Sequence, residues 1–441
     1  MNNSGNGHAV SARAVAYEAL TKRVENYPEL HRMVIERDGL SPRDARLALA
    51  IDHHVTMRWL TLVALIEPHL KHSWNGLKPV VRAAMLGGAA QILLMDRIPD
   101  HAVLHETVEW IKSGSQPRAA GMVNAVLRRL CELRGEHVEE ANPTQQDMLL
   151  RSDGSGIRLT KPILSDDPAI QMQQQTSCPA VLLDHWISCF GQEEAYRLAM
   201  HGIADAPLIV SCEEKMPTMA DPHEVPGFQV IHRGVSASEV LEAHPDAVIQ
   251  DPASAEPVRA TIGMEPRCIL DLCAGRGTKT RLLARHHPAS RIIAMDYDRS
   301  LHEDLSRSTS GYGNIEVRPF GQFEDLIDEV DLLVLDVPCS NTAVLARRPE
   351  ARYRFSMESL EELAQRQRQI MADSILTLSP NGRILYATCS LDPAENNEQV
   401  QWLVRWHRMN VEHEHLMSPG GLPGDPAAAY HDGSYHALLS R

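Results

Sequence analysis

The feature that most limits the fold is an alternation that begins near residue 250. Five short apolar runs, CILDLC (268–273), RIIAMD (291–296), NIEVRP (314–319), DLLVLD (331–336) and GRILYATC (382–389), are separated by stretches long enough for crossover helices. Continuous apolar runs of this length suit strands buried on both faces. Their alternation with helical segments predicts an α/β fold with a doubly wound, mostly parallel sheet. Ligands of such sheets bind beyond the carboxyl ends of the strands, so the residues just past each run carry the most information.

After the first run comes Asp271-Leu-Cys-Ala-Gly275-Arg-Gly277-Thr-Lys279. Two glycines in a strand-to-helix turn let the backbone approach a ligand, and a carboxylate just before them can hold an amine or a hydroxyl. The second run ends in Asp296, placed to bond the ribose hydroxyls of a nucleoside cofactor. These residues leave a dinucleotide and S-adenosylmethionine equally open. The fourth and fifth runs narrow the chemistry, because they end in Asp336-Val-Pro-Cys339-Ser340 and Tyr386-Ala-Thr-Cys389-Ser390 and so bring two thiols to one sheet edge. Hydride transfer has no use for such a pair. Methylation of a pyrimidine at C5 does, since that carbon is a poor nucleophile until a thiolate adds to C6. A carboxylate at the N3/N4 edge stabilises the adduct, and Asp336 is placed for it.

Upstream the texture differs. Residues 9–135 show apolar positions at helical spacing, broken at Ser41-Pro42, Pro68, Pro79 and Pro99, which predicts a compact helical domain. Residues 136–176 are polar, acidic and poor in periodicity, and read as a linker with flexible parts. Residues 177–248 mix helical and strand patterns, as in a small α+β subdomain, and 249–441 form the sheet domain.

Eight cysteines without a CxxC pair argue against a disulfide framework or a structural zinc, and the 22 histidines match no ligand spacing, so no metal is expected. No apolar stretch is long enough to span a bilayer and MNNSGNGHAVSARAV lacks a signal pattern, which points to a soluble, cytoplasmic protein; a monomer is expected. The net charge of −15 would discourage nucleic-acid binding, but it is uneven. Residues 1–135 carry 17 Lys+Arg against 13 Asp+Glu, whereas 136–250 carry 6 against 18. Arg128-Arg129 and the basic N-terminal balance fit an accessory RNA surface. So does LARRPEARYRF, where Arg347, Arg348, Arg352 and Arg354 interleave with Tyr353 and Phe355 to contact phosphates and stack on bases. Asp392-Pro393-Ala394-Glu395 has the form of a helix start.

Four blocks, DLCAGRGTKT, AMDYD, LDVPCSNTAVLARRPEARYR and LYATCSLDPAENNEQV, resemble the RNA 5-methylcytosine methyltransferases of the NOL/NOP2/sun family. LLMDRIPDHAVLHETVEW and GMVNAVLRRL resemble a NusB-like RNA-binding domain. The resemblance implies a Rossmann-like, S-adenosylmethionine-dependent methyltransferase domain acting on cytosine C5 in RNA, most simply small-subunit (16S) ribosomal RNA. It implies Cys389 as the nucleophile, Cys339 as the group that assists release, and Asp336 and Lys279 as contacts to the target base. For the cofactor it implies Asp271, Cys273, Ala274, Gly275, Gly277, Lys279, Asp296 and Asp336. Arg276 and Thr278 stand where the family has proline and glycine, and Asn341 and Ala343 where it has glycines. RPFGQFED offers no third-strand aspartate before Glu324 and Asp325, and LIVSCEE contains no basic residue. These departures motivate two alternatives: an RNA-binding protein with an inactive methyltransferase domain, or a methyltransferase acting on transfer RNA.

Overall fold

A computed structural model describes residues 11–36, 38–212 and 214–441, so residues 9 and 10 of the expected helical domain lie outside the described residues. The chain divides into two compact units. Among the described residues, one comprises those up to 205 with 348–354 and 422–424, and the other those from 206 to 347, 355–421 and 425–441. The expected subdomain at 177–248 is divided between them: its helices Ala180–Phe190 and Gln192–His201 belong to the first unit and its strands to the second.

The first unit holds the helices Ala12–Asn26, Pro42–Met57, Trp59–Ile66, Pro79–Leu94, Asp100–Ser113 and Ala120–Leu133, of which those at Pro42, Pro79 and Asp100 begin at the predicted breakers. Ser41 caps the second of them by accepting from the Asp44 amide at 3.2 Å, with Pro42 in the first turn, where no donor is lost. Pro79–Leu94 is the central helix, buried on nearly every side. Gly87 and Gly88 let the Tyr17 ring and Leu127 lie directly on its backbone, where a Cβ would collide with them.

The stretch 136–176 corrects the expectation of a linker. It forms a three-stranded antiparallel sheet of β1 (Arg134–Val138), β2 (Met148–Leu150) and β3 (Gly156–Leu159), in the order β1-β3-β2. The helix Pro168–Thr176 follows, capped by Asp167. Leu149, Ile157, Leu159 and Leu164 join the core of the helical bundle. Strands of three to five residues are too short to show a period, and their acidic connections dominate the composition.

The second unit opens with a four-stranded antiparallel sheet of β4 (Ile209–Ser211), β5 (Ala220–Pro222), β6 (Phe228–Ile231) and β7 (Val248–Ile249), in the order β5-β6-β4-β7. The expected five strands come next: β8 (Cys268–Asp271), β9 (Arg291–Ala294), β10 (Ile315–Val317), β11 (Val330–Asp336) and β12 (Leu378–Thr388). They are parallel, and an antiparallel pair, β13 (Asn410–Met417) and β14 (Ser434–Ser440), completes a seven-stranded sheet in the order β10-β9-β8-β11-β12-β14-β13. The strand order reverses between β8 and β11, which opens a crevice at their carboxyl ends. Among the described residues no helix is long and apolar enough to cross a membrane.

If 136–176 is part of the folded unit, Leu149→Ala should cost about 2–5 kcal/mol in denaturant unfolding of the whole chain. An unchanged midpoint would return the segment to the status of a linker.

Candidate active site

The turn after β8 is shaped by two glycines with left-handed backbone, Gly275 at φ 56° and Gly277 at φ 81°. Gly277 precedes the helix Thr278–His286, and a Cβ there would press to 3.0 Å on Leu305, Ser308 and Thr309. Thr278 is the first helical residue and takes no positive φ, so glycine is not required at that position. Arg276 turns outward to Asp304 at 3.3 Å. Asp296, beyond β9, accepts from the Gly275 amide at 2.7 Å and from the Asp298 amide at 2.7 Å, and so ties the turn to the neighbouring strand. Burial raises its carboxyl above the usual range.

Asp271 lies beneath the turn, wholly buried. Its Oδ2 accepts from the Thr280 hydroxyl at 2.6 Å, and its Oδ1 meets no hydrogen-bond partner. Burial pushes this carboxyl up to about 7, with the Thr280 bond opposing the rise.

A cavity of about 520 Å³ opens beside these residues, lined by Cys273, Asp296, Tyr297, Asp298, Arg299, Asp336, Pro338 and Arg366. Cys273, Asp296 and Asp336 therefore meet in one wall. Asp271, Ala274, Gly275, Gly277 and Lys279 are not in its lining. The Arg366 guanidinium lies 4.4 Å from the Tyr297 ring centroid, and Phe320 meets the same ring edge-on at 5.3 Å. Tyr297 had a signal in the sequence, an aromatic directly after the second-strand aspartate. Arg366 had none, because it comes from the helix Met357–Ser374. The volume suits a nucleoside-sized ligand. The Asp296 and Asp336 carboxylates in the cavity lining fit one with a cationic or hydroxyl-bearing portion. The third-strand position offers no acid here, because Asp325 is held by Arg318 at 2.8 Å.

On the other side of Asp336 the two thiols meet. Register pairing of Asp336 with Ala387 sets the ends of β11 and β12 side by side, and Cys339 Sγ stands 3.2 Å from Cys389 Sγ. Asn341 joins them: its Nδ2 donates to the Cys339 carbonyl at 2.7 Å and its Oδ1 accepts from the Cys389 thiol at 3.3 Å. Asn341 is the residue of this loop that takes a left-handed backbone, at φ 61°, and Ala343 does not. Asparagine tolerates that region better than most residues. Lys279 Nζ donates to Asp336 Oδ2 at 2.7 Å. Burial opposes the lysine's charge, but Asp336 outweighs it and raises the lysine's pKa. The bond with Cys389, reinforced by burial, pushes the Cys339 thiol well up.

Two readings are corrected. Asp392 caps only a single 3-10 turn, Pro393–Glu395, and the α-helix starts at Asn397. Glu395 does not reach back to the cap; it is buried against Ser340 and Gln367. The arginine-aromatic stretch is engaged with the protein itself: Arg352, Tyr353 and Phe355 are buried and the other arginines are half-buried in pairs. Arg347 pairs with Asp251 at 3.0 Å and Asp432 at 2.8 Å. Arg352 donates to the carbonyls of Thr176 and Gly202, and Tyr353 donates to the carbonyl of Thr56. Phe355 is buried, Arg348 pairs with Glu350, and Arg354 donates to the carbonyl of Leu30. Arginines that satisfy buried carbonyls look the same in sequence as arginines that await phosphates.

Asp271 supplies a pH test. The folded chain holds its proton to about pH 7, whereas a free carboxyl releases it near 3.8, so rising pH destabilises the folded state across that window and no further above it. Asp271→Asn cannot ionise. Its Tm should gain on the unaltered protein from pH 4 to 7, and parallel profiles would contradict the burial argument.

Comparison with known proteins adds two family matches. Residues 262–423 match the model described as 16S rRNA methyltransferase RsmB/F, and residues 10–132 match the NusB family. The chain is 28% identical over a 454-residue alignment to ribosomal RNA small subunit methyltransferase B of Vibrio cholerae, covering 99% of this chain and 98% of that protein. It is 26% identical to the protein of the same name from Erwinia tasmaniensis, covering 97% and 98%. Among solved structures the fold is similar to PH0851, with a TM-score of 0.69 at 16% identity, covering 98% of this chain and 99% of that one.

Proposed function

We propose that this chain, whose residues 262–423 match the 16S rRNA methyltransferase RsmB/F model and whose residues 10–132 match the NusB family, methylates C5 of a cytosine in small-subunit ribosomal RNA through a covalent adduct with Cys389. The observation that carries the reading is the pair of thiols 3.2 Å apart at neighbouring strand ends, beside the Lys279–Asp336 ion pair.

Cys389 adds to C6 of the cytosine, which turns C5 into a nucleophile. Cys273, Asp296 and Asp336 in the cavity lining would hold S-adenosylmethionine, which would supply the electrophilic methyl group for the activated C5. Asp336 faces the N3/N4 edge of the base, and the Lys279 ammonium orients that carboxylate and offsets the negative charge that develops on the ring. Cys339 is the release group. Once deprotonated, it takes the proton from C5 while the C6–S bond breaks and Cys389 leaves as a thiolate, and burial and its neighbour, which raise its pKa, make it a strong base for that step. A cytosine must leave any helical stack to reach such a site, so the substrate is presented as a loop or a single strand.

Cys389→Ala should lower methyl transfer by at least about a thousandfold. Cys339→Ala should instead accumulate a protein–RNA adduct that survives denaturing electrophoresis. Turnover by Cys389→Ala, or a Cys339→Ala protein that forms no adduct, would overturn the assigned roles.

A further inference from the structure

Beneath the Cys339 loop lies a carboxylate that the chemistry above does not use. Glu395 has no exposed surface, and burial raises its carboxyl above the usual range. Its Oε1 accepts from the Ser340 amide at 2.9 Å and from Gln367 Nε2 at 3.0 Å, and its Oε2 accepts from the Ser340 hydroxyl. Gln367 Nε2 also donates to the Pro338 carbonyl at 3.0 Å, so the residues on both sides of Cys339 are gripped. Tyr386, in β12, donates to the Glu395 carbonyl at 2.6 Å and to Gln367 Oε1 at 3.1 Å, which anchors the grip to the sheet. Ser340 Oγ lies 3.1 Å from Ser390 Oγ, the residue after the other thiol.

A buried carboxylate is costly unless its lone pairs are met, and here amides and a hydroxyl meet them. An apolar side chain would fill the same volume without that cost, but it could not hold the Ser340 amide and hydroxyl and the Gln367 amide at one point. Glu395 also follows Cys389 by one short turn. Through Ser340 it therefore joins the loop of one thiol to the loop of the other.

We propose that Glu395 is a positioning residue that fixes Cys339 against Cys389. The proposal rests on the reading of the two thiols as nucleophile and release group, and its test reads their spacing without RNA. A trivalent arsenical, p-aminophenylarsine oxide, bridges two close thiols by forming two As–S bonds while its oxygen leaves as water with the two thiol protons. The unaltered protein should take up one equivalent, mapped by mass spectrometry to Cys339 and Cys389 and removed by a competing dithiol. Glu395→Ala should bind the arsenical at least tenfold more weakly while keeping its thermal transition. Glu395→Gln, whose amide oxygen still accepts from the Ser340 N–H, should restore most of the affinity. Should Glu395→Ala fail to fold, Ser340→Ala removes one arm of the grip and should weaken binding severalfold. Unaltered affinity in a folded Glu395→Ala or Ser340→Ala protein would overturn the proposal, as would failure of the unaltered protein to bind. Absence of methyl transfer by the unaltered protein would refute the proposed function and leave this test standing.

Discussion

The candidate site depends on the register between β11 and β12. Leu333, Val334 and Leu335 pair with Ile384, Leu385 and Tyr386, and all six are buried, so the pairing is held by side chains on both faces of the sheet. A slip of one residue would shift one strand end by about 3.3 Å and turn its side chains to the opposite face. Cys339 and Cys389 would then no longer meet. The same strand pairs on its other edge with β8, which brings the glycine turn and Lys279 to the Asp336 carboxylate. One buried strand thus serves a cavity on one side and a thiol pair on the other.

The electrostatics of the cavity derive from that placement. Asp271, Asp296 and Asp336 end three adjacent strands, and Lys279 is committed to one of them. Asp296 and Asp336 thus bring carboxylates to a lining that also holds Arg299 and Arg366, and these carboxylates suit the cationic portion of a methyl donor. Proton affinity differs among these groups for local reasons. Asp271 is buried below the turn with one hydroxyl donor and is driven up to about 7, whereas Asp296 keeps two backbone donors that oppose its rise. Strand ends place the carboxylates, and local donors decide which of them readily ionise.

The five sheet strands and the chemistry at their ends were legible in the sequence because buried parallel strands are apolar throughout and the residues just beyond them are polar. The convergence of Asp336, Cys339 and Cys389 needed only the assumption that neighbouring runs pair. Other features had no local signal. Arg366 enters the cavity from a distant helix, and Glu395 carries the spacing of a capping box while it grips the other loop. The 136–176 stretch hid its apolar residues among acids, and Arg347 and Arg352 concealed their internal pairing because their carbonyl and carboxylate partners lie far away in the chain. The substitutions in the glycine turn proved local: positive φ falls on Gly275 and Gly277, not on Thr278.

The central claim is the position and nature of the methylated atom. The most direct measurement is to incubate the purified chain with methyl-labelled S-adenosylmethionine and unmodified small-subunit ribosomal RNA, digest the RNA and separate the nucleosides. The account predicts label in 5-methylcytidine. Label confined to another nucleoside, or none while the RNA is bound, would contradict it.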